Sequence, residues 1–176
     1  MSAPNLTPGG LEPARGYDGQ ISRLAEGTLI DSSVNSGATA VTPAQLVSRD
    51  PAEPKCCRLA HYEDELLGLV VRDPTIYHAD ASGNLTFGQY RSLGFLKMGY
   101  MNATPAEAVS AGDGVVAIFD DSTHVFTGLG STVNGCNTTT RRLLKGHKWE
   151  TDTAASATEP GEISVLGTNS VNYVTY

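Results

Sequence analysis

Positive charge is in short supply in this chain. Twelve Lys and Arg stand against nineteen Asp and Glu, and the net charge is −7. Holding duplex nucleic acid takes a basic face that displaces counterions. One dense basic segment exists, Arg141, Arg142, Lys145 and Lys148, and four cations spaced this way read as a solvated face or as a contact with an acidic neighbour. No nucleic-acid partner is expected, and the acidic balance chiefly favours solubility. Long apolar runs are also missing. None approaches the roughly 18 residues of a membrane span, and residues 1–10 are polar and rich in Pro and Gly, unlike a secretory signal. No membrane partner is expected either.

Cysteine is scarce and awkwardly placed. Cys56 and Cys57 are adjacent and Cys136 stands alone. An odd count with a neighbouring pair excludes a disulfide framework, and without a Cys-x-x-Cys spacing there is no structural zinc motif. The three read as small buried hydrophobes in a reducing compartment.

Clusters that carry chemistry are absent too. His61, His78, His124 and His147 occur singly, and no Gly-x-Ser-x-Gly elbow supplies a nucleophile. A metal-holding jelly roll uses a His-x-His pair with further ligands. Only His124 and His147 are placed to meet across strands, which is too few. Asp120-Asp121 and Glu63-Asp64-Glu65 read as solvated turns rather than as a pair for glycoside hydrolysis. The glycines at 128, 130 and 135 precede no helix pattern, so they form no phosphate loop. No cofactor, no metal and no enzymatic activity are expected.

What is present is a series of short β-branched runs closed by glycine. The clearest covers residues 103–119, read as a strand into the turn Ser-Ala-Gly-Asp-Gly at 110–114 and a second strand, 115–119, out of it. Leu-Leu-Gly-Leu-Val-Val-Arg at 66–72 is the most continuous apolar run and reads as a central strand buried on both faces. Further strands are expected at 38–47 (edge or bulge, because of Pro43), 56–62, 93–101 (bent), 123–127, 145–151, 161–166 and 171–176. Loops are expected at 79–84 and, longer, at 128–140, and no amphipathic helix is found. Turn signals every 8–12 residues imply an all-β jelly roll or barrel-like sandwich of about 8–10 short strands. Residues 1–27, broken by Pro4, Pro8, Pro13 and several glycines, read as an extended N-terminal arm, with 28–176 as a single β domain. Residues 20–30 are apolar enough to dock on a neighbour, which makes Gln20, Ile21, Arg23, Leu24, Leu29 and Ile30 candidate contacts. Arg141, Arg142, Lys145 and Trp149 form a second candidate set.

In order along the chain, Gly-Gln-Ile-Ser-Arg-Leu-Ala (19–25), Asn-Ser-Gly-Ala (35–38), Cys-Arg-Leu-Ala (57–60) and 66–73 are followed by Tyr-Arg-Ser-Leu-Gly-Phe-Leu-Lys-Met (90–98). Then come Glu-Ala-Val-Ser-Ala-Gly-Asp-Gly-Val-Val (107–116), Lys-Trp-Glu-Thr-Asp-Thr-Ala-Ala (148–155) and Glu-Ile-Ser-Val (162–165). This succession resembles the structural cement, or head decoration, proteins of tailed bacteriophages. The resemblance implies a non-enzymatic virion protein on the outer surface of the capsid, clamping neighbouring major capsid proteins and self-associating as a dimer or trimer. The first candidate set would then touch the capsid, and the second would touch the capsid or another copy. Two other readings remain open. One is a carbohydrate- or receptor-binding β-sandwich on the virion surface, for the scattered tyrosines and the 128–140 loop. The other is a cupin-like metal enzyme, for His124 and His147.

Overall fold

The computed structural model describes residues 16–23, 27–72, 85–135, 140–154 and 160–166. The expected strand at 171–176, the loop at 79–84, residues 1–15 of the arm, Leu24, His78 and Cys136 lie outside these.

Among the described residues there are ten strands: β1 Ile21–Arg23, β2 Leu29–Val34, β3 Leu46–Arg49, β4 Cys57–Leu59, β5 Leu66–Val70, β6 Ser92–Ala103, β7 Gly114–Phe119, β8 Phe126–Ser131, β9 Arg141–Trp149 and β10 Gly161–Leu166. A single 3-10 turn, Thr132–Asn134, follows β8. The strands form one sheet in the order β4-β3-β5-β6-β10-β9-β7-β8, and β1 and β2 both add to β6. Every ladder is antiparallel. The two ends of the order meet. Tyr62 N–H donates to the His124 carbonyl and Phe126 N–H to the Ala60 carbonyl, both at 2.9 Å, while His61 bridges Val125. The fold is thus all-β and nearly closed into a barrel, and the closure joins the β4 and β8 ends that an open sheet would leave as edges. Arg142 of β9 braces this seam from inside, donating Nη1 to the carbonyls of Tyr62 (2.7 Å) and Asp64 (2.9 Å).

The buried side chains form two cores, and β3, β5 and β6 contribute to both. The larger fills the barrel with Leu46, Leu66, Leu69, Leu96, Val115, Phe119, Leu129, Trp149 and Ile163 among others. The smaller holds Val41, Val47, Cys57, Leu67, Val70, Phe87, Leu93 and Phe95. All five residues of β5 are buried, which is why that stretch reads as an unbroken apolar run rather than an alternation. The smaller core is closed by β2, whose end bridges β4 through Asn35 and Cys57, with Ser36 N–H donating to the Cys57 carbonyl at 2.9 Å.

Some local readings change. Pro43 and Ala44, the latter left-handed at φ 63°, hold the chain in a turn, so the strand expected at 38–47 begins only at Leu46. No strand leads into the 110–114 turn; Val109 makes one isolated bridge to Thr153. The turn itself holds, with Gly112 at φ 93° and Asp113 Oδ2 accepting Ser110 N–H at 2.9 Å. The strand expected at 123–127 starts at Phe126, because Asp120 Oδ1 accepts both the N–H and the hydroxyl of Ser122 and of Thr123 and keeps them in a turn. The first four residues of the 128–140 segment belong to β8 rather than to a loop. Within the segment read as an arm, Ile21–Arg23 is β1, paired to Tyr100 and Met101 of this chain's own β6.

Candidate functional site

The first candidate set gathers on the strands added to β6. Arg23 of β1 lies 3.7 Å above the Tyr100 ring and pairs with Glu162 of β10 at 3.1 Å. The adjacent Ser22 hydroxyl donates to the same carboxylate at 2.5 Å. Gln20 accepts Tyr17 N–H through its side chain, and Tyr17 in turn lies beneath the Arg72 guanidinium. Ile21 is half-buried against the barrel core. On β2, Leu29 and Ile30 are 51% and 48% exposed, a large fraction for branched aliphatic side chains in a folded strand. Asp31 follows them and pairs with Lys97 of β6 at 2.7 Å. That bond, with the Ser32 N–H, holds the Asp31 carboxyl below its ordinary range. β1 and β2 thus present a surface of aliphatic side chains flanked by neutralised ion pairs.

The second set does not assemble. Arg141 is tied down locally, donating to Glu107, to the Gly135 carbonyl and to the Ser131 carbonyl. Arg142 and Trp149 are buried, so they are corrected from contact residues to core residues. Only Lys145 stays exposed. For Trp149 the reason is a shift in β9. Arg142 and Leu144 point inward, then His147 and Trp149 do, because Lys145 and Gly146 intervene on the outside. Gly146 takes φ 80°, which costs a side-chain-bearing residue far more. The pairing of β9 with β7 slips at the same place. Of the four neighbouring cations, Arg142 therefore points inward while Arg141, Lys145 and Lys148 stay on the outer face.

Glu107 anchors the segment between β6 and β7. It accepts Ser131 N–H at 2.7 Å and Arg141 at 2.5 Å, joining that segment to β8 and β9. Burial alone would raise its carboxyl pKa; the Arg141 and Ser131 bonds outweigh that and hold it below its ordinary value of 4.5. A carboxylate whose folded pKa is depressed adds stability that is complete above its unfolded pKa and is lost as pH falls through the folded one. His147 gives a second acid-side loss. Burial holds its pKa below the ordinary 6.5, so only the unfolded chain takes up its proton readily as pH drops below that value. The expected result is a urea midpoint that begins to fall below about pH 6.5 and falls faster in the carboxylate range. Glu107→Gln should lower the midpoint at neutral pH, and the gap from the unsubstituted protein should shrink in acid. A gap that stays constant with pH would show that the Glu107 charge does not matter.

Convergent chemistry is not found among the described residues. No three His, Cys, Asp or Glu side chains gather as metal ligands there. The two histidines behind the metal-enzyme reading have different surroundings. His124 sits edge-on to the Tyr62 ring at a left-handed φ of 56°, while His147 is buried with Nδ1 3.1 Å from the Lys145 carbonyl. Burial pushes the Cys57 thiol up to about 11, so it stays protonated at neutral pH. Asp113 spends its carboxylate on the turn and on the Ser131 hydroxyl. No described helix is long and apolar enough to cross a membrane.

The exposed pair Leu29 and Ile30 fell within the segment singled out in the sequence, though for a different reason. The expectation there rests on an apolar stretch, 20–30, suited to docking, and the structure places the two residues on a strand added to β6. The ladder of β2 on β6 was missed altogether, because Leu-Ile-Asp-Ser-Ser-Val has no periodic apolar face. In comparisons with known proteins, residues 7–166 match the family model described as structural cement protein (E217 gp24/Pam3 gp6). No curated protein matches the chain.

Proposed function

Since the chain belongs to the structural cement protein family of phages, we propose that it sits on the outer face of the capsid and clamps neighbouring major capsid proteins. The family match over residues 7–166 is the observation that carries this reading. The role follows from simple energetics. A protein that binds only the assembled shell stabilises that state by mass action, and many copies on one lattice multiply modest contacts. The contacting surface we assign is the β1–β2 face, with Gln20, Ile21, Arg23, Leu29 and Ile30. Lys145 is kept from the second set because it remains exposed. Self-association as a dimer or trimer belongs to the same proposal.

The test uses shells assembled without this chain. Adding the purified protein should decorate them at a fixed ratio to the shell protein and raise the temperature at which they rupture. Shells that bind it but rupture at the same temperature would remove the stabilising role. Shells that do not bind it would remove the decorating role as well.

A further inference from the structure

We propose that residues 29–32 of β2 form an edge onto which an extended segment of the capsid protein adds as a further strand. This rests on the decoration reading above and specifies how the contact is made.

The direction of the backbone groups locates the edge. Asn35 N–H donates to the Arg91 carbonyl, on the β6 side, whereas Ser36 N–H donates to Cys57 on the opposite side. Strand residues alternate, so along β2 the odd residues serve the β6 ladder and the even ones turn away from it. Toward its C-terminal end that outer edge is covered. Asn35 bridges Cys57, and the Ser33 hydroxyl donates to the Lys55 carbonyl. At its N-terminal end the cover stops. Leu29, Ile30, Asp31 and Ser32 are all exposed, and β2 pairs with β6 alone among the described strands. Among the described residues none covers the outward backbone of Ile30 and Ser32, apart from the Ser32 N–H, which the Asp31 carboxylate accepts at 2.8 Å. Proteins ordinarily protect such an edge with Lys, Pro or inward charge. Here it carries two exposed aliphatic side chains, and its one acid is already paired to Lys97. Strand addition uses this combination: main-chain bonds provide affinity, and alternate side chains provide selection.

Charge selects the occupant. The chain carries −7, so at this edge a partner of opposite charge is favoured over a second copy. An antiparallel match of residues 29–32 with the same stretch of a second copy would also set Ile30 against the Asp31 carboxylate. The partner that fits is an extended capsid-protein segment of net positive charge, apolar opposite Leu29 and Ile30 and without an acid opposite Asp31.

The experiment compares Ile30→Pro with Ile30→Ala on shells lacking the chain. Proline removes the outward N–H at a position where an edge strand tolerates it, whereas alanine keeps the N–H and trims the side chain. Thermal unfolding of each free variant confirms the fold. The expected result is a loss of shell affinity of about tenfold or more for Ile30→Pro and about two- to threefold for Ile30→Ala. Hydrogen exchange on decorated shells provides a second measurement, and the outward amide of Ile30 should slow on binding. Equal losses for both variants would reduce the contact to side-chain packing and overturn the proposal. So would unchanged exchange, or a free dimer in sedimentation that Ile30→Pro dissociates. Unsubstituted protein that decorates shells while both variants bind as well as it does would overturn the edge and leave the decoration reading standing. Failure of the unsubstituted protein to bind would sink both.

Discussion

Trp149→Ala should destabilise the protein by about 3–5 kcal/mol and lower its Tm by roughly 6–20 °C for a domain of this size. Trp149 is fully buried in the barrel core. Its indole N–H donates to the Gly130 carbonyl of β8 at 3.0 Å. Its ring lies against Gly161 of β10, where an added Cβ would sit 3.1 Å from Cζ3. Its backbone also takes part in the 110–114 turn, donating to the Asp113 carbonyl and accepting from Gly112 N–H. One side chain thus joins three strands, and its removal leaves a cavity and breaks the indole bond to the Gly130 carbonyl. Circular dichroism against urea checks this, since the substitution removes the only tryptophan. Trp149→Phe, which fills most of the volume but lacks the N–H, should fall between the two. A loss under about 1 kcal/mol for Trp149→Ala would mean that the ring is not packed as described.

Gly68→Ala should cost about 3 kcal/mol, the upper end for overpacking. Alanine is a better strand residue than glycine by propensity alone, so the prediction runs against the local rule. Gly68 lies in β5, between the two cores, and an added Cβ would stand 2.5 Å from the Leu96 carbonyl oxygen and 3.1 Å from the Phe95 ring. The first neighbour is backbone of the adjacent strand and cannot swing aside. β5 and β6 would have to separate, and both cores use that pair of strands. The same experiment at Gly88, where an added Cβ meets nothing within 4 Å, should show almost no change. If Gly68→Ala proves as stable as the unsubstituted chain, the tight approach of β5 to β6 is wrong.

These two positions show how unevenly the fold can be read from composition and pattern. β5 and β10 are visible at once, because a run such as Leu-Leu-Gly-Leu-Val has to bury both faces. The turn at 110–114 is visible because Gly112 and Asp113 supply the backbone freedom and the acceptor that the turn needs. All but the first two residues of β8 lie in the segment expected as a loop, because Gly128 and Gly130 read as loop residues. They serve packing instead: a Cβ at Gly128 would meet Ala106 at 2.8 Å, and Gly130 is crowded by the Glu107 carboxylate. β2 was hidden for the opposite reason. A strand with one outward edge and both faces partly wet has no alternation to display.

The candidate contacts divide in the same way. Leu29 and Ile30 stand out in the sequence as the apolar end of a stretch suited to docking, and they are exposed. Arg142 and Trp149 were noticed as a basic run with an aromatic, and they are interior. Arg142 is inward on the same alternation as Leu144, and Gly146 at φ 80° then shifts that alternation and sends Trp149 into the core.

The sequence was enough to establish the all-β class, the negative net charge and the resemblance to the family, because these rest on composition, turn signals and short segments. Which strands close the barrel, which side of β9 faces inward and which edge is left open depend on contacts between distant segments. Ala60 meets Phe126, and Arg142 reaches Tyr62 and Asp64. No pattern within a single window records such meetings, because their energy comes from packing after the chain has folded back on itself.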